Sequence, residues 1–490
     1  MAEDMDSYEN ALIQRLVLRL PNTDPAEDNL KIDRPASMSS SVTRSPDASP
    51  SMGTLEALPL ELLQHISEFL DFRAISRLRR TCLKGRETVD TVLAYSRTVT
   101  HASKALAALG KIGMMRHHSV GALYATLVSQ ECASCGASGA CLSLPTCERF
   151  CDDCVCKSHA IRVAALEICG FTSAVADEIF SAYETWKETS EFAHSQDLID
   201  FATQFIESLV YHRGNAIAYE DDWDSALEGL GIRPEKRHAL LKAEHTELRM
   251  RGTAETWAKY MVETTYGWLW SPEKDRLSAP TITVALPATP PQDHVMLYKG
   301  GAMTHLQCVW PAWEPDDVKF GFNFGTLFFR QPTDFSPDNS SLIYFAESEE
   351  WAHRCAKLAD DICYPVPAAI LHVAVPSSMI DKATRIADED FKQLAFKCLQ
   401  GRNRLGIRRQ NLRLYVKASL LLGQVCGNST AQVEEFTDPE QITIVKMEGE
   451  EPLQYAFVGD AMALELNDKC NGKIWIEELR REGLAMYREA

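Results

Sequence analysis

Seven of the chain's fifteen cysteines fall within the 25 residues CASCGASGACLSLPTCERFCDDCVC, from Cys132 to Cys156. The pairs Cys132/Cys135 and Cys151/Cys154 are each C-x2-C with fifteen residues between them. By that spacing, two knuckles place four thiolates around one tetrahedral zinc. Two intervening residues let both sulfurs of a pair turn toward one ion, and Gly136 after the first pair suits the positive φ such a turn demands. Cys141, Cys147, Cys156 and His159 are spare, and spacing alone leaves ligand exchange within the cluster open. Four protein ligands leave no position for water, so zinc held here is expected to be structural and not hydrolytic. The alternative is a set of reduced, partly buried thiols. A redox pair has less support, because no thioredoxin-like βαβ pattern surrounds the motif.

The rest of the composition narrows the function classes. A net charge of −19 argues against a nucleic-acid partner, whose phosphates demand clustered Lys and Arg, and against an anionic membrane surface. The opening MAEDMDSYENALIQRLVLRL is acidic where a signal peptide is basic, and Arg15 and Arg19 interrupt its apolar run. Nowhere do eighteen apolar residues run together, so no membrane span is expected. Cysteines without a secretory signal point to the reducing cytoplasm or nucleus.

A chain of 490 residues is expected to hold about two to four domains. Residues 1–53 read as a disordered tail and linker, poor in large apolar residues beyond Pro21. Within it Leu12, Leu16 and Leu20 repeat at helical spacing, and Ser45-Pro46 and Ser49-Pro50 are candidate phosphate acceptors. Residues 54–128 read as short helices, 129–160 as the cysteine knot, 161–275 as a helical block and 290–490 as an α+β domain. The segment APTITVALPATPPQDH interrupts the helical pattern with prolines. VMLYKGG, SLIYFAE and AAILHVAVP beyond it read as strands, and SEEWAHRCAKLADDI and EDFKQLAFKCLQG as helices. The expected fold class is mixed α and α+β.

LEALPLELLQHISEFLDFRAISRLRRTC, Leu55 to Cys82, carries more apolar side chains than two or three short helices can enclose. Pro59 suits a first helical turn, Leu62, Ile66 and Phe69/Leu70 follow at helical spacing, and Asp71 can cap a second helix. Packing on the helices after Val89 is one way to cover this face; a groove in a partner protein is another. The stretch resembles an F-box in its Leu-Pro, Glu-Leu-Leu, later isoleucine, Leu-Asp break and second helix ending in Cys. The cysteine segment is similar to the C-x2-CG … LPTC-x-R-x-C-x2-C stretch that follows the F-box in filamentous-fungal F-box proteins. These resemblances imply a substrate receptor of an SCF-type ubiquitin ligase within the ubiquitin-conjugation pathway. Its partners would be a Skp-type adaptor, a cullin scaffold and a protein substrate. They further imply that Leu58, Pro59, Leu62, Ile66, Leu70 and Ile75 face the adaptor, and that zinc sits on Cys132, Cys135, Cys151 and Cys154. Such a receptor needs no catalytic residue, since tethering raises the effective concentration of a target lysine.

The C-terminal order of LYKGG, an aromatic strand, EEWAHRCAKLA and a late strand faintly resembles ADP-ribosyltransferase-like folds. That resemblance implies an enzyme, or a degenerate one, carrying an F-box for its own regulation. Lys299 stands where the family places the His or Arg that holds the dinucleotide, and Gln454 near the expected catalytic Glu, so no catalytic residue is assigned. G-x-S-x-G, Walker, H-E-x-x-H and G-x-G-x-x-G signatures are missing. His294, His305, His353 and His372 show no ligand spacing and read as surface or satisfied core residues.

Overall fold

The computed structural model describes residues 16–20, 52–190, 196–213, 222–270, 286–287, 289–310, 322–328, 333–335, 341–400, 412–447 and 449–479. Linker residues 21–51, with both Ser-Pro pairs, lie outside that set. Two compact units divide the rest, one ending at Ala165 and the other starting at Leu166. Among the described residues no helix is long and apolar enough to cross a membrane.

The first unit opens with helices α1 (Leu60–Phe69), α2 (Phe72–Thr81), α3 (Leu83–Thr91), α4 (Leu93–His101), α5 (Ser103–Lys111) and α6 (Val120–Val128). Pro59 precedes α1, and its carbonyl accepts from the Leu62 and Leu63 amides. Asp71 ends that helix by capping the next: its Oδ1 accepts from the Arg73 and Ala74 amides at 2.8 and 2.7 Å. The Leu70 carbonyl then takes the Val120 amide at 2.9 Å, which ties the end of α1 to the start of α6.

A three-stranded antiparallel sheet follows, built from β1 (Val17–Arg19), β2 (Cys141–Ser143) and β3 (Glu148–Phe150). At Val17–Arg19 the chain therefore departs from the amphipathic helix that the leucine spacing of residues 1–20 suggests, while Leu12 lies outside the described residues. Leu18 pairs with Leu142, Leu16 is fully buried, and the Leu16 carbonyl accepts from Leu144. A hairpin edge with unpaired amides offers Val17–Arg19 more partners than an isolated helical turn does. Val17–Arg19 are thus an ordered strand and not part of a disordered tail.

The second unit begins with helices, chiefly α7 (Ser173–Thr189), α8 (Leu198–Arg213), α9 (Pro234–Leu240) and α10 (Ala254–Trp270), at the places where apolar residues recur three and four apart. Among the described residues its sheet has seven strands in the order β10-β6-β4-β5-β9-β8-β7. In chain order they are β4 (His294–Ala302), β5 (Leu342–Ala346), β6 (Ala368–Pro376), β7 (Thr384–Arg385), β8 (Leu420–Gln424), β9 (Leu453–Val458) and β10 (Ile474–Glu478). Neighbours run antiparallel except β7 with β8. The segments read as strands from sequence form β4, β5 and β6, and the two read as helices form α11 (Glu349–Ile362) and α12 (Asp388–Leu399).

Period-two alternation gives the sheet a core on each side. Ile343, Phe345, Tyr455 and Phe457 pack with Met462 and Leu466, while Leu342, Leu421 and Ala456 pack with Phe391 and Leu394. Helix α11 lies so close on β4 that a Cβ at Gly300 would fall 1.6 Å from the Ala352 carbonyl oxygen, which only glycine avoids. The proline-rich stretch does not separate the helical block from the sheet, for both belong to this one unit. Lys236 of α9 donates to the Ile362 and Tyr364 carbonyls, and His245 Nε2 meets Asp361 at 2.7 Å.

Candidate functional site

The cysteine segment folds as two knuckles braced by the β2–β3 hairpin. In the first, the Cys132 amide donates to Ala137 and the Gly136 amide to Cys132, with Gly136 at φ +72° as its position after the pair demands. The Ala133 amide donates to Arg149 of β3 at 2.7 Å, so the knuckle is pinned to the strand that delivers the second pair. Cys151 leaves β3 and caps a short helix, Asp152–Cys156, which carries Cys154. The Sγ atoms of Cys132, Cys135, Cys151 and Cys154 all lie within 4.8 Å of one another, and Cys135 and Cys151 are 3.7 Å apart. Zinc–sulfur bonds of about 2.3 Å in a tetrahedron put sulfurs about 3.8 Å apart, so the four cysteines lie at metal-binding distance.

The electrostatics fit the same use. Burial of Cys132 opposes its thiolate, but backbone amides of Cys135, Cys151 and Ser134 outweigh it and bring the thiol down to about 6. The Ser134 hydroxyl favours a thiolate at Cys154, yet the neighbouring sulfurs of Cys151 and Cys135 push that thiol up to about 12. One charge is thus stabilised by the fold alone, and further ones are disfavoured without a cation.

The spare cysteines stand apart from this group. Cys141 donates to Asp152 Oδ1 at 3.4 Å, and that carboxylate also takes Arg19 of β1. Cys147 is buried beside the Thr126 hydroxyl, and burial pushes its thiol up. The Cys156 side chain lies outside the described residues. The brace that β1 gives this segment, through Arg19 and Asp152, was not visible in spacing, since the two residues lie far apart in sequence.

A second feature sits on α1. Leu63 and Ser67 turn inward, whereas Leu62, Ile66 and Phe69 form a stripe on another face, 50%, 46% and 71% exposed. Leu55, Pro59 and Leu60 are also exposed around the helix start. Of the six residues expected to face a partner, Pro59, Leu62 and Ile66 are exposed and Leu58 and Leu70 half-buried. Ile75 is the correction: it is fully enclosed, with Phe72 and Ser76 on the buried face of α2.

In the sheet, Lys299 of β4 donates to the Tyr344 carbonyl of β5 at 3.2 Å. These strands share a single register pair, Tyr298 with Ala346. Although part of the side chain reaches the surface, burial brings the Lys299 ammonium down to about 8. Gln454 is buried in β9 and directs its amide nitrogen to Asp334 Oδ2 at 3.0 Å and the Gln424 carbonyl at 3.3 Å. His294 contacts the Gln292 carbonyl, and His305 contacts the Thr264 hydroxyl and the Tyr260 ring.

Compared with known family models, curated proteins and solved structures, the chain matches none.

Proposed function

We propose that this chain is a substrate receptor of the F-box kind. In this reading α1 docks into a Skp-type adaptor, which joins it to a cullin scaffold, and another part of the chain holds a protein target for ubiquitin transfer. The observation that carries the reading is the uncovered stripe of Leu62, Ile66 and Phe69. An amphipathic helix normally turns such a face inward, and apolar residues left out at i, i+4 and i+7 match the anchors of a helix that seats in a groove. The Leu-Pro lead, the break at Leu70-Asp71 and the cap on α2 agree with the family pattern.

Zinc on Cys132, Cys135, Cys151 and Cys154 fits the donor set, which is four soft thiols within 4.8 Å of one another. It would hold the hairpin and supply no reactive position. The receptor reading assigns no catalysis to this chain, and a cytoplasmic or nuclear location follows from its partners. The transferase-like alternative has less to rest on, because the Gln454 amide nitrogen is directed to Asp334 and the Gln424 carbonyl.

Affinity purification of the full chain tests the proposal. Adaptor and cullin should both be recovered, and both lost together when Leu62 and Ile66 are replaced by alanine. Recovery of neither with wild type, or adaptor binding that survives the substitutions, would overturn it.

A further inference from the structure

Spacing along the chain gives His372 no ligand partners, but the fold does. β6 runs between β10 and β4 with His372 directly opposite both Trp475 and Tyr298. Residues opposite one another in antiparallel strands share a face, as do residues two apart along a strand. Trp475, Glu477, His372, Tyr298 and Gly300 therefore lie on one face. Helix α11 covers that face at Gly300, and Glu349 stands in its first turn. One donor atom each from Glu349, His372 and Glu477 lies within 4.8 Å of the other two.

The imidazole is 2% exposed, yet its Nε2 has no hydrogen-bond partner. A Glu477 carboxylate oxygen stands 3.3 Å away without the alignment of a hydrogen bond. A buried polar atom left unpaired is costly, and native structures seldom keep one without a use. The Tyr298 ring meets the imidazole edge-on with centroids 5.4 Å apart and restricts its orientation. Among the described residues no lysine or arginine pairs with Glu349 or Glu477, so two carboxylates converge on the imidazole with no cationic side chain between them.

We propose that His372 Nε2 and one oxygen each of Glu349 and Glu477 bind a divalent cation of borderline character, zinc foremost. Nitrogen and oxygen ligands of a tetrahedral zinc stand about 3.4 Å apart, close to the separation of His372 from Glu477. One imidazole with two carboxylates suits such ions better than the softer metals that thiolates select, and the ion's charge balances both glutamates. Three protein donors leave a coordination position for water or a ligand, which the four-cysteine site does not.

Calorimetric titration of the full chain with zinc, begun with the cysteine site already loaded, tests the assignment. A further equivalent should bind. Glu477→Gln and Glu349→Gln, both at exposed positions that the fold tolerates, should each weaken it by about tenfold or more, and His372→Ala should abolish it. Cys132→Ser with Cys151→Ser should leave it in place. Absence of a further equivalent in wild type, or one indifferent to both glutamate substitutions, would overturn the site and leave the cysteine cluster untouched.

Discussion

Replacing Leu62 and Ile66 together by alanine separates a docking face from an ordinary helix surface. The two side chains are 50% and 46% exposed. Complete burial of a leucine or isoleucine is worth about 1.5–3 kcal/mol, so the uncovered half of each offers about 1 kcal/mol to whatever covers it. Losing both should cost an adaptor complex about 2 kcal/mol, or about 30-fold in Kd. The natural control is Ile75, which is fully enclosed. Ile75→Ala removes nothing from the surface and opens a cavity, at about 2–5 kcal/mol of stability.

The two variants should therefore move opposite observables. Binding of the full chain to a purified Skp-type adaptor, followed by surface plasmon resonance well below the melting temperature, should weaken for the pair and hold for Ile75→Ala. Thermal melting should fall furthest for Ile75→Ala. If the pair bound as wild type, or if Ile75→Ala weakened binding while still folded, the stripe on α1 would not be the docking face.

Three further outcomes are expected. Leu16→Ala, at a fully buried position beside the hairpin, should destabilise the first unit by about 2–5 kcal/mol, seen as earlier proteolysis of the cysteine segment. Lys299 has its folded-state pKa depressed to about 8 from 10.5, so below 8 the charge is carried in both states at a cost to the fold, and between those values only the unfolded chain keeps the proton. The stability of wild type relative to Lys299→Met should accordingly rise as pH goes from 8 to 10.5; a flat difference in denaturant titrations would refute the burial of that amine. Metal analysis should find zinc that disappears in Cys132→Ser with Cys151→Ser, and a strong chelator should loosen the hairpin in hydrogen exchange.

Local chemistry was legible in the sequence where one residue type does one job. The four C-x2-C cysteines converge, Gly136 takes positive φ, and Asp71 caps its helix. Strands and helices with a clean period, such as β6 and α11, also read correctly. What spacing hid depends on pairs distant along the chain. Leu16 and Leu20 have a helical repeat, but between them the open edge at Cys141–Ser143 recruits Val17–Arg19 as a strand. Ile75 looks like the other apolar residues of its stretch, and only the packing of α2, which buries the face of Phe72, Ile75 and Ser76, turns it inward. His372 acquires Glu477 across a strand pair and Glu349 from a helix laid over the sheet, which no local pattern encodes.

The two features of the first unit are mechanically joined through α6. At its start this helix receives the end of α1, through Val120 and Leu70 and the bridge between Asp71 and Ser119. Toward its end Thr126 donates to the Cys147 carbonyl at 2.8 Å, and the Arg149 guanidinium reaches the Thr126, Leu127 and Gly139 carbonyls at 3.1, 2.8 and 2.9 Å. Arg149 also holds the first knuckle through its own carbonyl. The last carbonyls of a helix have no partner within it, so a cation bridging them to the hairpin stabilises α6 and fixes its distance from the cysteines at once. On the proposed receptor reading, a metal that closed the cysteine cluster would also fix where α6 stands against α1, so the angle at which the exposed stripe meets a partner would depend on residues more than sixty positions further along the chain.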